Sequence, residues 1–392
     1  ALGDTYRLNI ESDAAWEHYL KARDAYREAG DAPADLYPRI VEVPARWYGG
    51  FREQPDDAIV HVLLDEGEEA ARRSGEDLPL VEILLARARL RLRDQGKLGD
   101  RAEIDEALRI LDRRGDLVGI VDTLEDIGSL LLYGREDVDS ARPIFERVDR
   151  LIARGGRIAD EDSYFDHREQ LALAAGDLAS AWAVARRELE VDERRGPHLL
   201  SHALARYGSV ALQAGEHAVV LDMAARARAL VGAHPNTQFC PGGAGLALAS
   251  AALVQALEGR REQAEELIRD ALRFALRRGG WPAELSVFLV YAVLGRVGDV
   301  ERVLRIDQAF ALLPGRSAAA ALLTGRSSDV ERGLARLDTM ASRGNLFCAA
   351  LAEAIREEVA APEGGPQPRH EALRRMGSNG WSEILSFRPT LA

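Results

Sequence analysis

A glycine followed by a polar residue returns along this chain at a nearly fixed interval. Gly176-Asp177, Gly215-Glu216, Gly259-Arg260 and Gly298-Asp299 are separated by 39, 44 and 39 residues. Between such pairs, apolar residues recur at i, i+3, i+4 and i+7, as in Leu80 to Leu92, Ala174 to Leu189 and Leu253 to Leu276. That spacing marks one buried face of an α-helix, and the alternation that marks a strand is almost missing. A turn at a fixed period between amphipathic helices is the pattern of helix pairs, each burying its apolar face against the next pair. The expected fold class is therefore all-α, a solenoid of antiparallel helix pairs.

The fine structure of the units carries the same reading. Leu2, Gly3 and Tyr6 are followed by Ala15, Tyr19 and Ala22. Gly259 is followed by Ala264, Ile268 and Ala271, and Gly134 by Ala141, Phe145 and Val148 at similar offsets. Gly208 and Gly215 lie seven residues apart, matching the two glycine positions of another unit. This resembles the tetratricopeptide repeat, with its Leu-Gly-x-x-Tyr, then alanine, an aromatic and alanine. The chain departs from the family in lacking most of the unit-closing prolines, in units longer than about 34 residues, and in the stretch Asp31 to Gln54. The resemblance implies a right-handed superhelix and carries no catalytic residue with it. It also extends to the C-terminal repeat arrays of large actinobacterial regulators. Arginine greatly outnumbers lysine, present only as Lys21 and Lys97, and alanine is abundant, as in a GC-rich genome. The chain is expected to be either one of those arrays or a stand-alone relative, and the clear first unit beginning at Ala1 is consistent with an excised piece.

Periodicity places helix pairs near 1–30, 35–75, 78–114, 117–155, 158–193, 197–232, 242–279, 282–310 and 316–343, with a further helix over 345–360. Residues 1–360 thus form the array. The segment 361–369 holds three prolines and two glycines, a linker that stops a helix. Residues 370–392 are expected to cap the array or to fold back into its groove, through Trp381, Ile384, Leu385 and Phe387.

Composition excludes several function classes. The 392 residues are 47% hydrophobic, too apolar for disorder. Acidic residues number 64 against 51 basic, a formal charge of −13, which disfavours nucleic acid, whose affinity rests on phosphate contacts. No apolar run approaches the roughly 20 residues that span a bilayer, and Ala1 to Ile10 is broken by Asp4, Arg7 and Asn9, unlike a secretion signal. A cytoplasmic protein without membrane contact is expected. Cys240 and Cys348 lack metal-ligand spacing and read as small buried side chains.

No motif points to catalysis or to a cofactor. Cys240-Pro241-Gly242-Gly243-Ala244-Gly245 lacks the Gly-Lys-Ser/Thr of a phosphate loop and reads as a turn opening a helix, with Pro241 at its start. His198 and His202 share a helix face but have no third ligand nearby in sequence, so no metal site is expected. Trp16 and Trp182 fit core positions.

The resemblance implies that ligands lie along the first helix of each pair. Aligning those helices on their turn glycines assigns a groove. Ser163, Asp166 and Gln170 come from the helix before Gly176, and His202, Ser209 and Gln213 from the helix before Gly215. Arg89 and Arg93 come from the third pair, four residues apart and able to clamp a carboxylate together. Leu246, Leu253 and Phe288 add apolar groups further along. A groove polar in its middle and apolar beyond suits an extended peptide or protein segment. The expected function is a non-catalytic regulatory module binding a protein or peptide. The alternative is a sensory receptor for a small molecule or signalling peptide, and an enzyme with its active site in the groove ranks below both.

Overall fold

A computed structural model of the chain describes residues 2–8, 11–46, 51–95, 100–115, 118–157, 161–234, 241–275, 284–306, 309, 313–362 and 365–388. Every regular element among them is helical, with no strand. The chain divides into two compact units, residues 1–136 with 140–159, and residues 137–139 with 160–392.

In the first unit, α1 (Leu2–Leu8) pairs with α2 (Ser12–Ala29), α3 (Leu36–Arg46) with α4 (Asp57–Ser74), and α5 (Asp77–Gln95) with α6 (Ala102–Arg114). A last pair joins α7 (Val121–Ser129), extended by a π-turn at Leu130–Gly134, to α8 (Val138–Ala153). The helices start and stop where local chemistry directs. The Asp56 carboxylate accepts from the Ala58 N–H at 2.9 Å to open α4, and Gly75, at φ +72°, closes it. Glycines let the pairs close up tightly. A Cβ on Gly3 would stand 2.6 Å from the Tyr19 ring, and one on Gly128 2.5 Å from the Phe145 ring. Gly128, rather than Gly134, is thus the small residue that receives Phe145. The awkward stretch 31–54 holds α3, with Pro44 two residues before its end. Trp47 lies outside the described residues.

The second unit continues with α9 (Glu161–Ala174), α10 (Leu178–Asp192), α11 (Pro197–Ala214), α12 (His217–Ala233), α13 (Leu246–Leu257) and α14 (Arg261–Ala275). It goes on through α15 (Glu284–Val293), α16 (Val297–Leu304), α17 (Pro314–Leu323), α18 (Ser327–Ala341) and α19 (Leu346–Ala360). Turns of two or three residues at Gly176, Gly215, Gly259 and Gly325, all at left-handed φ, make successive helices antiparallel. The fourth expected turn is misplaced by three residues. Gly295 takes the left-handed conformation at φ +72°, and Gly298 falls inside α16. The glycine-rich stretch enters α13 through a π-turn at Pro241–Gly245, with Gly243 against Ser201 of α11. Its first residue, Cys240, lies outside the described residues, as do Trp281 and Pro282. Cys348 is buried.

Beyond the linker, α20 (Glu371–Arg375) and α21 (Asn379–Ser386) pack into the core of the second unit. Leu373 and Leu385 are fully buried there, with Trp381 beside Phe347. This segment crosses the turns of earlier pairs. Met376 covers Gly176, and a Cβ on Gly380 would stand 1.8 Å from the Leu212 carbonyl oxygen at the end of α11. No helix among the described residues is long and apolar enough to cross a membrane.

Candidate functional site

The polar centre of the second unit is built on α11. Pro197 occupies the first turn, where its missing N–H costs nothing, and Gly215 ends the helix at φ +83°. Ala203, Val210 and Ala211 face the core. His202, Arg206, Ser209 and Gln213 recur at helical spacing on another face. The Arg206 guanidinium lies 3.6 Å from the Asp166 carboxylate of α9 and is also ion-paired to Glu188 of α10, a side chain with no exposure to water. The Ser209 Oγ and Gln213 Oε1 atoms are buried and have no hydrogen-bond partner. On α9, close enough to Arg206 to feel its charge, Glu169 is only 2% exposed, and its Oε2 likewise lacks a hydrogen-bond partner. Burial, with repulsion from Asp166, pushes the Glu169 carboxyl up to about 8, against a pull from Arg206.

Of the groove residues expected from sequence, Asp166, Ser209 and Gln213 belong to this centre. Ser163 and Gln170 are half-buried on α9. His202 is occupied by His198, their rings 5.0 Å apart, and no three His, Cys, Asp or Glu among the described residues form a group able to hold a metal ion. Leu246 is half-buried at the start of α13. Leu253 and Phe288 require correction. At 4% and 0% exposed they are core side chains of α13 and α15 and present nothing to a groove. The sequence reading passed over Glu169 and Arg206. Both were accessible to it, since Glu169 is three residues from Asp166 and Arg206 four from His202, within the same helical faces.

Arg89 and Arg93 do not act together. Arg89 of α5 pairs at 2.6 Å with Asp126 of α7, while Arg93 pairs at 2.7 Å with Asp57 and with Asp94. The pairing of Arg89 is part of a charged array in the first unit. Arg46 lies 3.5 Å from Asp126 and 3.8 Å from Glu42, and Arg7 lies 3.1 Å from Glu42. Glu82 of α5 keeps access to water, yet protein crowds it and Glu42, Asp126 and Asp35 repel its charge. Its carboxyl is raised to about 7, opposed by Arg39.

A serine, a histidine and a glutamate also converge in the C-terminal segment. The His370 Nδ1 is hydrogen-bonded to Ser382 Oγ at 3.0 Å, and its Nε2 lies 3.0 Å from Glu358 Oε1. The other Glu358 oxygen takes Arg388. The trio differs from a nucleophilic triad in geometry and setting. Ser382 lies within α21, 3% exposed, with its N–H directed to Ser378 O at 3.4 Å. It anchors α21 to α19 instead. No protein-family model matches the chain, and no curated protein matches it either.

Proposed function

We propose that the chain is a non-catalytic, regulatory interaction module of the tetratricopeptide type, its helix pairs wound into a right-handed superhelix. The first helices of the later pairs, α9, α11 and α13, line a groove that binds an extended peptide or a segment of a partner protein. One observation carries this reading. Buried polar atoms are nearly always hydrogen-bonded, yet Ser209 Oγ, Gln213 Oε1 and Glu169 Oε2 stand unpartnered around the polar face of α11. An extended peptide backbone, with its regularly spaced N–H and C=O groups, is the ligand that such a row satisfies.

Random-peptide display on the full chain tests this. Selected peptides should lose at least tenfold in affinity on Ser209→Trp, which fills the face, and on Gln213→Arg. Selected peptides indifferent to both changes would place recognition elsewhere. A second reading, a small-molecule receptor, is favoured by a largely apolar cleft of about 490 Å³ between α12, α13 and α14, lined by Leu221, Leu248, Ala251 and Leu267 with Arg228 and Gln255 as its polar members. That volume lies within the range of small-molecule sites. Apolar ligands that raise the melting temperature, with the shift abolished by Ala251→Trp, would support it.

A further inference from the structure

We infer that the cleft between α12, α13 and α14 takes an uncharged amphiphile, a slim apolar body that ends in a hydrogen-bond donor such as a primary amide. The inference rests on the small-molecule reading above and names the class of ligand that this cleft selects.

The walls call for an apolar body. Leu221 comes from α12, Leu248 and Ala251 from α13 and Leu267 from α14, around a volume of about 490 Å³. Ala251, 1% exposed, sits in the lining and is too short to fill the space between the helices. Apolar surface moved from water onto such walls is favoured in proportion to the area it buries.

Two polar side chains interrupt this lining, and they differ in what they lack. Arg228 reaches from α12 to α14, where it pairs at 2.6 Å with Glu266 and also with Asp270. Asp270 in turn holds Arg273 at 3.2 Å. Two cations meet two anions, so this end of the cleft is balanced without a ligand. A carboxylate would have to draw Arg228 from its acids, and an ammonium would have to draw an acid from its arginines. Gln255 is in the opposite position. Its carbonyl oxygen is shut from water and accepts no hydrogen bond, although buried acceptors are nearly always satisfied. The last torsion of a glutamine is soft, so a donor entering the cleft can draw that oxygen to itself. A primary amide supplies the donor, and its own carbonyl accepts from the Gln255 side-chain N–H.

Spacing puts body and head in register. Helices α13 and α14 are antiparallel about the turn at Gly259, which has a left-handed φ of +75°. Counted outward from that glycine, Gln255 is four residues away on α13, while Glu266 and Asp270 are seven and eleven away on α14. The Gln255 amide and the Arg228 ion pairs therefore stand roughly 5–10 Å apart along the helices. Ala251, Leu248 and Leu267 line that stretch. A short alkyl chain lies along it with its head at Gln255.

The test is an NMR titration of the full chain with hexanamide. The comparisons are 2-heptanone, which has a methyl in place of the amide nitrogen and cannot donate, and hexanoate, which carries a charge. Hexanamide should give saturable shifts in α12, α13 and α14, with affinity at least fivefold weaker for the ketone and at least tenfold weaker for hexanoate. Gln255→Leu removes the amide with little change in bulk, so it should fold, which a melting curve checks, and should abolish the preference for hexanamide over the ketone. Equal affinities of the wild type for amide and ketone would overturn the inference, as would an unchanged preference in folded Gln255→Leu. The receptor reading fails separately. Amide and ketone that bind alike, both blocked by Ala251→Trp, would leave the receptor standing and remove only the donor. No saturation by any of the three, or binding indifferent to Ala251→Trp, would remove both.

Discussion

His370 Nε2 lies 3.0 Å from Glu358 Oε1, and neither side chain reaches water. The contact ties the backbone just before α20 to α19, while Ser382 on the other ring nitrogen adds α21. His370 also adopts a left-handed backbone at φ +49°, uncommon for a residue with a side chain. The local conformation is thus held by the buried contacts it serves.

Replacing this histidine should therefore release the C-terminal segment. His370→Ala removes the buried hydrogen bond to Ser382 and the contact with Glu358 together, a loss of about 1–3 kcal/mol. Urea denaturation should show that loss, and amide exchange over residues 371–386 should quicken first. An unaltered midpoint with unaltered exchange would mean that apolar packing by Trp381, Ile384 and Leu385 alone holds the segment.

Gly380 and Gly232 make a matched pair of glycine tests. A Cβ on Gly380 would meet the Leu212 carbonyl oxygen at 1.8 Å, and backbone cannot turn aside as a side chain can. Gly380→Ala should cost about 2 kcal/mol or more through forced displacement of α21. Gly232, within α12, has open space around its Cβ position. Gly232→Ala should stabilise by about 0.5–1 kcal/mol, since alanine narrows the unfolded ensemble. Equal effects of the two changes in thermal unfolding would contradict the docking of α21 on α11.

The helix pairs were legible in the sequence because their signals are local. Periodicity gives the helices and the left-handed glycines give the turns, so α9 to α14 fall where the spacing places them. Gly298-Asp299 misled because it copies Gly176-Asp177 in sequence, while the turn forms at Gly295. That three-residue slip alone does not account for Phe288, because α15 is buried on nearly every face, with Leu285 and Leu289 in the core beside it. The site was less legible, because its chemistry is set by charges arriving from other helices. Nothing near Arg89 in sequence announces Asp126, and although Asp166 stands three residues from Glu169, the burial that raises Glu169 most depends on tertiary packing.

The pH dependence of stability should carry a signature of Glu169. Its folded carboxyl titrates near 8, against the ordinary 4.5. Between those values the folded state binds more protons than the unfolded state, so this group's contribution is most favourable at low pH. It declines as pH rises from 4.5 and is fully lost above 8, by about 5 kcal/mol at most. Glu169→Gln abolishes the ionisation. The variant should gain stability over wild type as pH is raised from 5 to 9, measured by urea unfolding at each pH. Parallel curves for the two proteins would show that Glu169 ionises freely where it stands.

Arg89 and Asp126 should prove strongly coupled, in contrast to pairs on the open surface. The Arg89 side chain is 16% exposed, and its Asp126 partner also stands among Glu42 and Glu82. Arg89→Met would take from Asp126 its 2.6 Å cation while Glu42 and Glu82 stay near, for an expected loss of about 2 kcal/mol. Asp126→Asn in the Arg89→Met background should recover part of that loss, because it removes the carboxylate that the first change left without its close partner. The cycle should yield a coupling of about 1 kcal/mol or more, against a few tenths for exposed pairs. Asp126→Asn alone should also lower the Glu82 carboxyl from about 7, since Asp126 is one of the charges raising it. A carboxyl-carbon NMR titration reads that directly. If Glu82 does not move while the stability coupling persists, Asp126 acts on Arg89 alone, and crowding by protein with Glu42 and Asp35 accounts for Glu82.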